Sequence, residues 1–134
     1  VWSWRVDRLQ LTADIQTKAR EDFAAAIFVI FGRPSMANRN VPTLAYVWTN
    51  GQLPENAIVD SPHHPGTVRS IVARSGSVRL GQWSGERRNV VDDFRRAFGR
   101  EPPSVVEVIA LFTDNDQTGE PVEAYYGAIR ALPQ

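Results

Sequence analysis

Phe23-Ala24-Ala25-Ala26-Ile27-Phe28-Val29-Ile30-Phe31 is an unbroken apolar run that stops at Gly32 and Pro34. Its length and its Ile, Phe and Val content fit a central strand covered on both faces, while the three alanines leave a short buried helix as the alternative. A strand of that kind needs neighbours, and the flanking sequence supplies them. Upstream, Trp2, Trp4 and Val6 alternate with Ser3, Arg5 and Asp7, the period of a half-buried strand with its aromatic face on the core. Downstream, Leu44 to Thr49 (LAYVWT) ends at Asn50-Gly51 and Val68 to Arg74 (VRSIVAR) ends at Ser75-Gly76. Both dipeptides suit the positive φ of a tight turn, so Ser77 to Trp83 is expected to return as the second arm of a hairpin. Ser104 to Thr113 (SVVEVIALFT) and Ala124 to Leu132 (AYYGAIRAL) resume the β pattern.

One segment reads as a helix. Asn89 can cap it, Val90, Val91, Phe94, Ala97 and Phe98 fall on one side, and Asp92 and Asp93 begin it while Arg95 and Arg96 end it. Gly99 suits the position after the last turn, and Pro102-Pro103 prevents continuation. Asp92 is expected to pair with Arg96 one turn on. With no helix between successive strands, the expected class is mainly all-β: an antiparallel β-sandwich of jelly-roll or galactose-binding type, with one short α-helix at an edge.

The 134 residues carry fifteen basic and fifteen acidic side chains, which removes the electrostatic case for nucleic acid or an anionic membrane as partner. No apolar stretch is long enough to span a membrane. The absence of cysteine excludes disulfides, thiolate zinc sites and a thiol nucleophile. Fourteen of the fifteen basic residues are arginine, which fits either bidentate carboxylate recognition or a genome rich in G and C. The chain enters directly on Val1-Trp2-Ser3-Trp4. We therefore expect residues 1–134 to be a single domain lacking N-terminal strands, with an open sheet edge at Trp2 to Asp7 that could support an oligomer.

Thr113-Asp114-Asn115-Asp116-Gln117-Thr118-Gly119-Glu120 is the densest polar motif. Alternating oxygen side chains before a glycine resemble the first half of a calcium loop, with Asp114, Asp116 and Thr118 as ligands. The twelfth position from Asp114 is Tyr125 rather than glutamate, and a loop whose Asp and Asn bond their own backbone is the competing reading. Calcium is the only cofactor the sequence suggests. His63-His64 cannot readily chelate one metal, and His63 beside Asp60 and Ser61 reads mainly as an exposed loop. Among the aromatics, Trp48, Trp83 and Tyr125 or Tyr126 are candidates for stacking on a sugar ring, with Asp22 and Arg87 for polar contacts. Tyr125 and Tyr126 must point to opposite faces.

Several strings converge in order along the chain. They include Trp2-Ser3-Trp4-Arg5-Val6-Asp7, Thr17 to Ala25, Tyr46-Val47-Trp48, Val72 to Gly76, Glu86 to Val90, Asp93 to Gly99 with Pro102-Pro103, Thr113 to Glu120 and Tyr125-Tyr126-Gly127. Together they resemble the bacterial family called domain of unknown function 3047. The resemblance implies an exported protein, periplasmic or secreted, with a further N-terminal segment supplying extra strands. The family pattern has two aspartates where this chain has Glu21-Asp22, and an aspartate where it has Ala128. The leading expectation is a noncatalytic module that binds a carbohydrate or another polyhydroxylated ligand. The alternatives are an enzyme acting on a polysaccharide or ester through Asp22 or Asp114 with Arg87 or His63, and a structural module that contacts another protein.

Overall fold

In chain order the elements are β1 (Trp2–Arg8), β2 (Ala25–Ile30), β3 (Thr43–Thr49), β4 (Ile58–Asp60), β5 (Val68–Ser75), β6 (Ser84–Glu86), α1 (Val90–Phe98), β7 (Val108–Phe112) and β8 (Glu123–Ile129). They come from a computed structural model that describes residues 1–133. The eight strands form two sheets, one of order β6-β1-β8 and one of order β4-β5-β3-β2-β7, packed as a β-sandwich with one helix.

The continuous apolar run is a strand, and the reason is visible in its two faces. Ile27 and Val29 of β2, with Leu44, Tyr46 and Trp48 of β3, face Trp2, Trp4 and Val6 of β1 across the main core. Ala26, Ala45, Val47 and Val72 face the other way, onto Ile15, Phe23 and Val59. The segments around Ile15 and Phe23 thus cover the outer face of the larger sheet, Val59 belongs to the edge strand β4 of that sheet, and β3 is buried along its whole length. A strand in the middle of two cores has no polar face to alternate with.

Three expectations fail in instructive ways. The pair β3–β5 is parallel, with Thr43 opposite Val68 and Val47 opposite Val72. Residues 50–67 therefore form a crossover, and within it β4 adds an edge strand antiparallel to β5. Gly51 (φ 102) and Gly76 (φ 85) do adopt positive φ, but as neighbours at the common end of two parallel strands. A Cβ on Gly51 would stand 3.4 Å from the Gly76 Cα. Secondly, Ser77 to Trp83 is a series of turns, because Val78 is left exposed and finds nothing to pack on. That segment carries the chain to the other sheet, where β6 pairs with β1, Ser84 opposite Trp4. Finally, β1 is not an open edge: β6 and β8 flank it on both sides.

The helix forms as its sequence dictates. The Asn89 Oδ1 accepts from the backbone N–H of Val91 and Asp92, at 3.1 and 3.3 Å. Gly99 is left-handed and donates its N–H to the Arg95 carbonyl. The Phe94 ring sits 4.7 Å from that of Phe31, tying α1 to the core. The charges pair differently from expectation: Asp92 bonds Arg95, and Arg96 bonds Asp93, both three residues apart. Asp93 is more than a helix-start charge, since it faces inward. It accepts from the Tyr46 hydroxyl at 2.8 Å and from Arg88 at 2.8 and 2.9 Å. Burial and the Asp93 charge push the Tyr46 hydroxyl pKa far up, so it remains a donor.

Removing Asp93 would strand a buried hydroxyl and a half-buried guanidinium. Asp93→Ala is expected to cost about 3–5 kcal/mol, and Tyr46→Phe, which removes only one hydrogen bond, about 1 kcal/mol. Urea unfolding of the two variants checks this, and equal losses would contradict it.

Candidate functional site

The chain between β7 and β8 passes from one sheet to the other, and its oxygen-rich sequence has local work there. The Thr113 hydroxyl donates to the Ala24 carbonyl at 3.0 Å, and the Asp116 N–H donates to Asp114 Oδ1 at 3.1 Å. Thr118 Oγ1 accepts from the Glu120 N–H at 3.2 Å, so the hydroxyl expected as a metal ligand already serves the loop. Glu120 in turn accepts from the backbone of Leu11 and Thr12 and from the Thr12 hydroxyl. The backbone-bonded reading of this loop is therefore correct as far as it goes.

Asp22 adds what the sequence spacing did not show. It lies just ahead of β2, 2% exposed, and accepts from the N–H groups of Gln117 and Thr118 at 3.2 and 2.7 Å. This places carboxylate oxygens of Asp22, Asp114 and Asp116 within 4.8 Å of one another. Burial, and then the charges of Asp116 and Asp22, raise the Asp114 pKa to about 6. Asp22 also borders a cavity of about 10 Å³, lined further by Gln10, Asp14 and Asn50. That is room for one water-sized body.

Its neighbour Glu21 turns the opposite way. The Ser61 hydroxyl donates to its carboxylate at 3.3 Å, and burial raises its pKa against the opposing pull of His63 and Ser61. His63 Nε2 lies 2.9 Å from the Lys18 carbonyl, and Asp60 accepts from Gly66 and Arg69 instead of from His63. The histidine is thus set beside Glu21, and neither Asp22 nor Asp114 is its partner.

The aromatic candidates divide sharply. Trp48 is 1% exposed, edge-on to Trp4, with its indole N–H donated to the Gly76 carbonyl at 3.1 Å. It offers no face to a ligand, because the core takes both. Tyr126 is also withdrawn: its hydroxyl donates to the Phe112 carbonyl at 2.6 Å and accepts from the Ala26 N–H at 3.1 Å, bridging the two sheets. Tyr125 points the other way and is 42% exposed; Trp83 is 53% exposed. Between them lies Arg5, whose guanidinium carbon is 4.7 Å from the Tyr125 ring and 5.9 Å from that of Trp83. Arg5 is held by a two-pronged bond to Asp7 at 2.8 and 2.7 Å, and the Tyr125 hydroxyl donates to Glu123. Arg87 is not part of this cluster; it lines a groove between the sheets with Trp2 and Tyr46.

Arg5, Asp7 and Glu123 were not among the residues singled out from sequence. Alternation of Arg5 and Asp7 with Trp4 and Val6 already placed those two on the outward face. What sequence could not show is that Arg5 stands opposite Tyr125 in the β1–β8 register.

Asp114 gives a testable pH dependence. Its folded pKa, about 6, lies above the ordinary 3.8, so its contribution to stability is present below about pH 4 and is lost as pH rises through 6. Glu21 acts in the same direction. Asp114→Asn is expected to raise the melting temperature at pH 7 and to flatten its fall between pH 4 and 6. Thermal melts across that range check it, and an unchanged slope would contradict it.

A family described as a protein of unknown function (DUF3047) matches residues 1–130. No curated protein and no solved structure matches the chain.

Proposed function

We propose that this chain, which belongs to the DUF3047 family, is a noncatalytic module that binds a carbohydrate or another polyhydroxylated ligand on the outer face of its three-stranded sheet. The observation that carries the reading is the pair of exposed rings, Trp83 and Tyr125, on either side of Arg5. The C–H faces of a sugar ring are apolar and stack on an aromatic surface, while its hydroxyls need charged or polar partners at the rim. Arg5, Asp7 and Glu123 supply both donors and acceptors there. Tyr125 and Arg5 stand on paired strands, so little side-chain entropy remains to be lost on binding. The carboxylates beside the rings are already engaged, Asp7 by Arg5 and Glu123 by Tyr125, which favours recognition over acid–base chemistry at this face. A periplasmic or secreted location belongs to the same proposal, since polysaccharide is met outside the cytoplasm.

A glycan array followed by calorimetry on the best binder tests the reading. Trp83→Ala and Tyr125→Ala are each expected to weaken binding about tenfold, equivalent to about 1.4 kcal/mol, while Trp48→Phe leaves the affinity unchanged. No glycan bound, or binding indifferent to both alanine variants, would reject it.

A second reading concerns the acidic loop. Three carboxylates converge from two distant segments, their oxygens within 4.8 Å of one another, a donor set that suits a hard cation such as Ca²⁺. Calcium is expected to raise the melting temperature, EDTA to reverse the rise, and Asp116→Ala to abolish it. Identical melts with calcium and with EDTA would refute this.

A further inference from the structure

On the inward side of the sandwich a groove of about 580 Å³ opens between the sheets, a volume in the range of small-molecule pockets. Its body is apolar, lined by Ile27 and Val29 of β2, Ile109 of β7, Ile129 of β8 and Val106. Ile109 is 45% exposed, so the groove is open to solvent. Three guanidinium-bearing residues also line it: Arg87, Arg88 and Arg130. Arg88 is committed to Asp93. Arg87 and Arg130 form no ion pair among the described residues. Trp2 lines the groove as well, its ring packed 5.0 Å from that of Tyr46.

We propose that this groove is a second binding site, separate from the exposed aromatic face, for a small amphipathic anion: an apolar chain bearing one carboxylate. The chain lies against Ile109, Ile129 and Leu132, where its burial removes apolar surface from water. The carboxylate meets Arg87 and Arg130, whose planar guanidinium forks match it in geometry and charge. An uncharged chain satisfies the walls and leaves the arginines unmet; a cationic one is repelled by them.

Decanoate, titrated into the protein by calorimetry, is the probe, with decyltrimethylammonium as the control of equal chain length and opposite charge. Decanoate is expected to bind and the ammonium not. The double variant Arg87→Gln with Arg130→Gln is expected to weaken decanoate at least tenfold. Ile109→Trp, which fills the groove from its exposed side, is expected to abolish binding, with thermal melts confirming that both variants fold. Glycan binding at Trp83 and Tyr125 is unaffected by these changes, so the two sites succeed or fail independently. No decanoate binding, equal binding of the ammonium, or binding indifferent to the variants overturns the proposal. So does a concentration-dependent dimer in sedimentation that Ile109→Trp disrupts and decanoate leaves intact, since that assigns the groove to a second copy of the chain.

Discussion

Trp2 and Trp4 of β1, pressed onto Tyr46 and Trp48 of β3, hold the two sheets face to face. The Trp2 and Tyr46 ring centroids are 5.0 Å apart, those of Trp4 and Trp48 are 5.8 Å apart, and the two β1 indoles meet edge-on at 5.6 Å. Rings of this size bury on the order of 150–250 Å² each, which makes them the largest single contributions to a small core. Once they are in place, β3 has its inner face sealed and its outer face, Ala45 and Val47, still apolar. The segments carrying Ile15 and Phe23 must then fold over the back of the larger sheet. Asn50 secures one of them, donating to the carbonyls of Gln10, Leu11 and Ala13.

Strand alternation then decides which chemistry remains available. On β8 the inward residue of the tyrosine pair, Tyr126, becomes a strut between the sheets, and the outward one, Tyr125, joins Arg5. On β1 the indoles go in and Arg5 and Asp7 go out. The carboxyl pair ahead of β2 obeys the same geometry: Glu21 reaches Ser61, and Asp22 reaches the loop after β7. In each case adjacent residues acquire unrelated roles because successive side chains leave an extended backbone on opposite sides.

That rule also marks how far the sequence could be read. The sandwich, the single capped helix and most strands follow from local pattern, since period-two alternation, an Asn cap and a terminal Gly are all properties of neighbouring residues. Tyr125 and Trp83 were legible as candidates for exposure because of their polar context and the tyrosine pair. The parallel β3–β5 pair was not, because Asn-Gly and Ser-Gly promise only positive φ and do not state which strands the turn will join. Trp48 was misread as available because both faces of β3 are covered, and which tyrosine of the pair turns inward shows only when the Tyr126 hydroxyl meets backbone groups of β2 and β7. Asp22 with Asp114, and Asp93 with Tyr46, are contacts across long stretches of chain, visible only after the sheets are assembled.

The charge balance makes the same point in energetic form. With fifteen charges of each sign the chain has enough partners to neutralise every local excess, yet not every charge is paired. Asp22, Asp114 and Asp116 gather without an ion pair among the described residues, and their repulsion is part of what holds the Asp114 pKa near 6. Backbone donors from Gln117 and Thr118 offset part of that strain at Asp22. At the groove, Arg88 is bound to Asp93, while the exposed Arg87 and Arg130 line it without an ion pair among the described residues. A sequence shaped by folding alone has no reason to keep like charges together where opposite ones are available, and departures of this kind concentrate at functional positions. The carboxylates of Asp22, Asp114 and Asp116 are the clearest such departure, whereas Arg5 and Asp7, beside Trp83 and Tyr125, are already paired with each other.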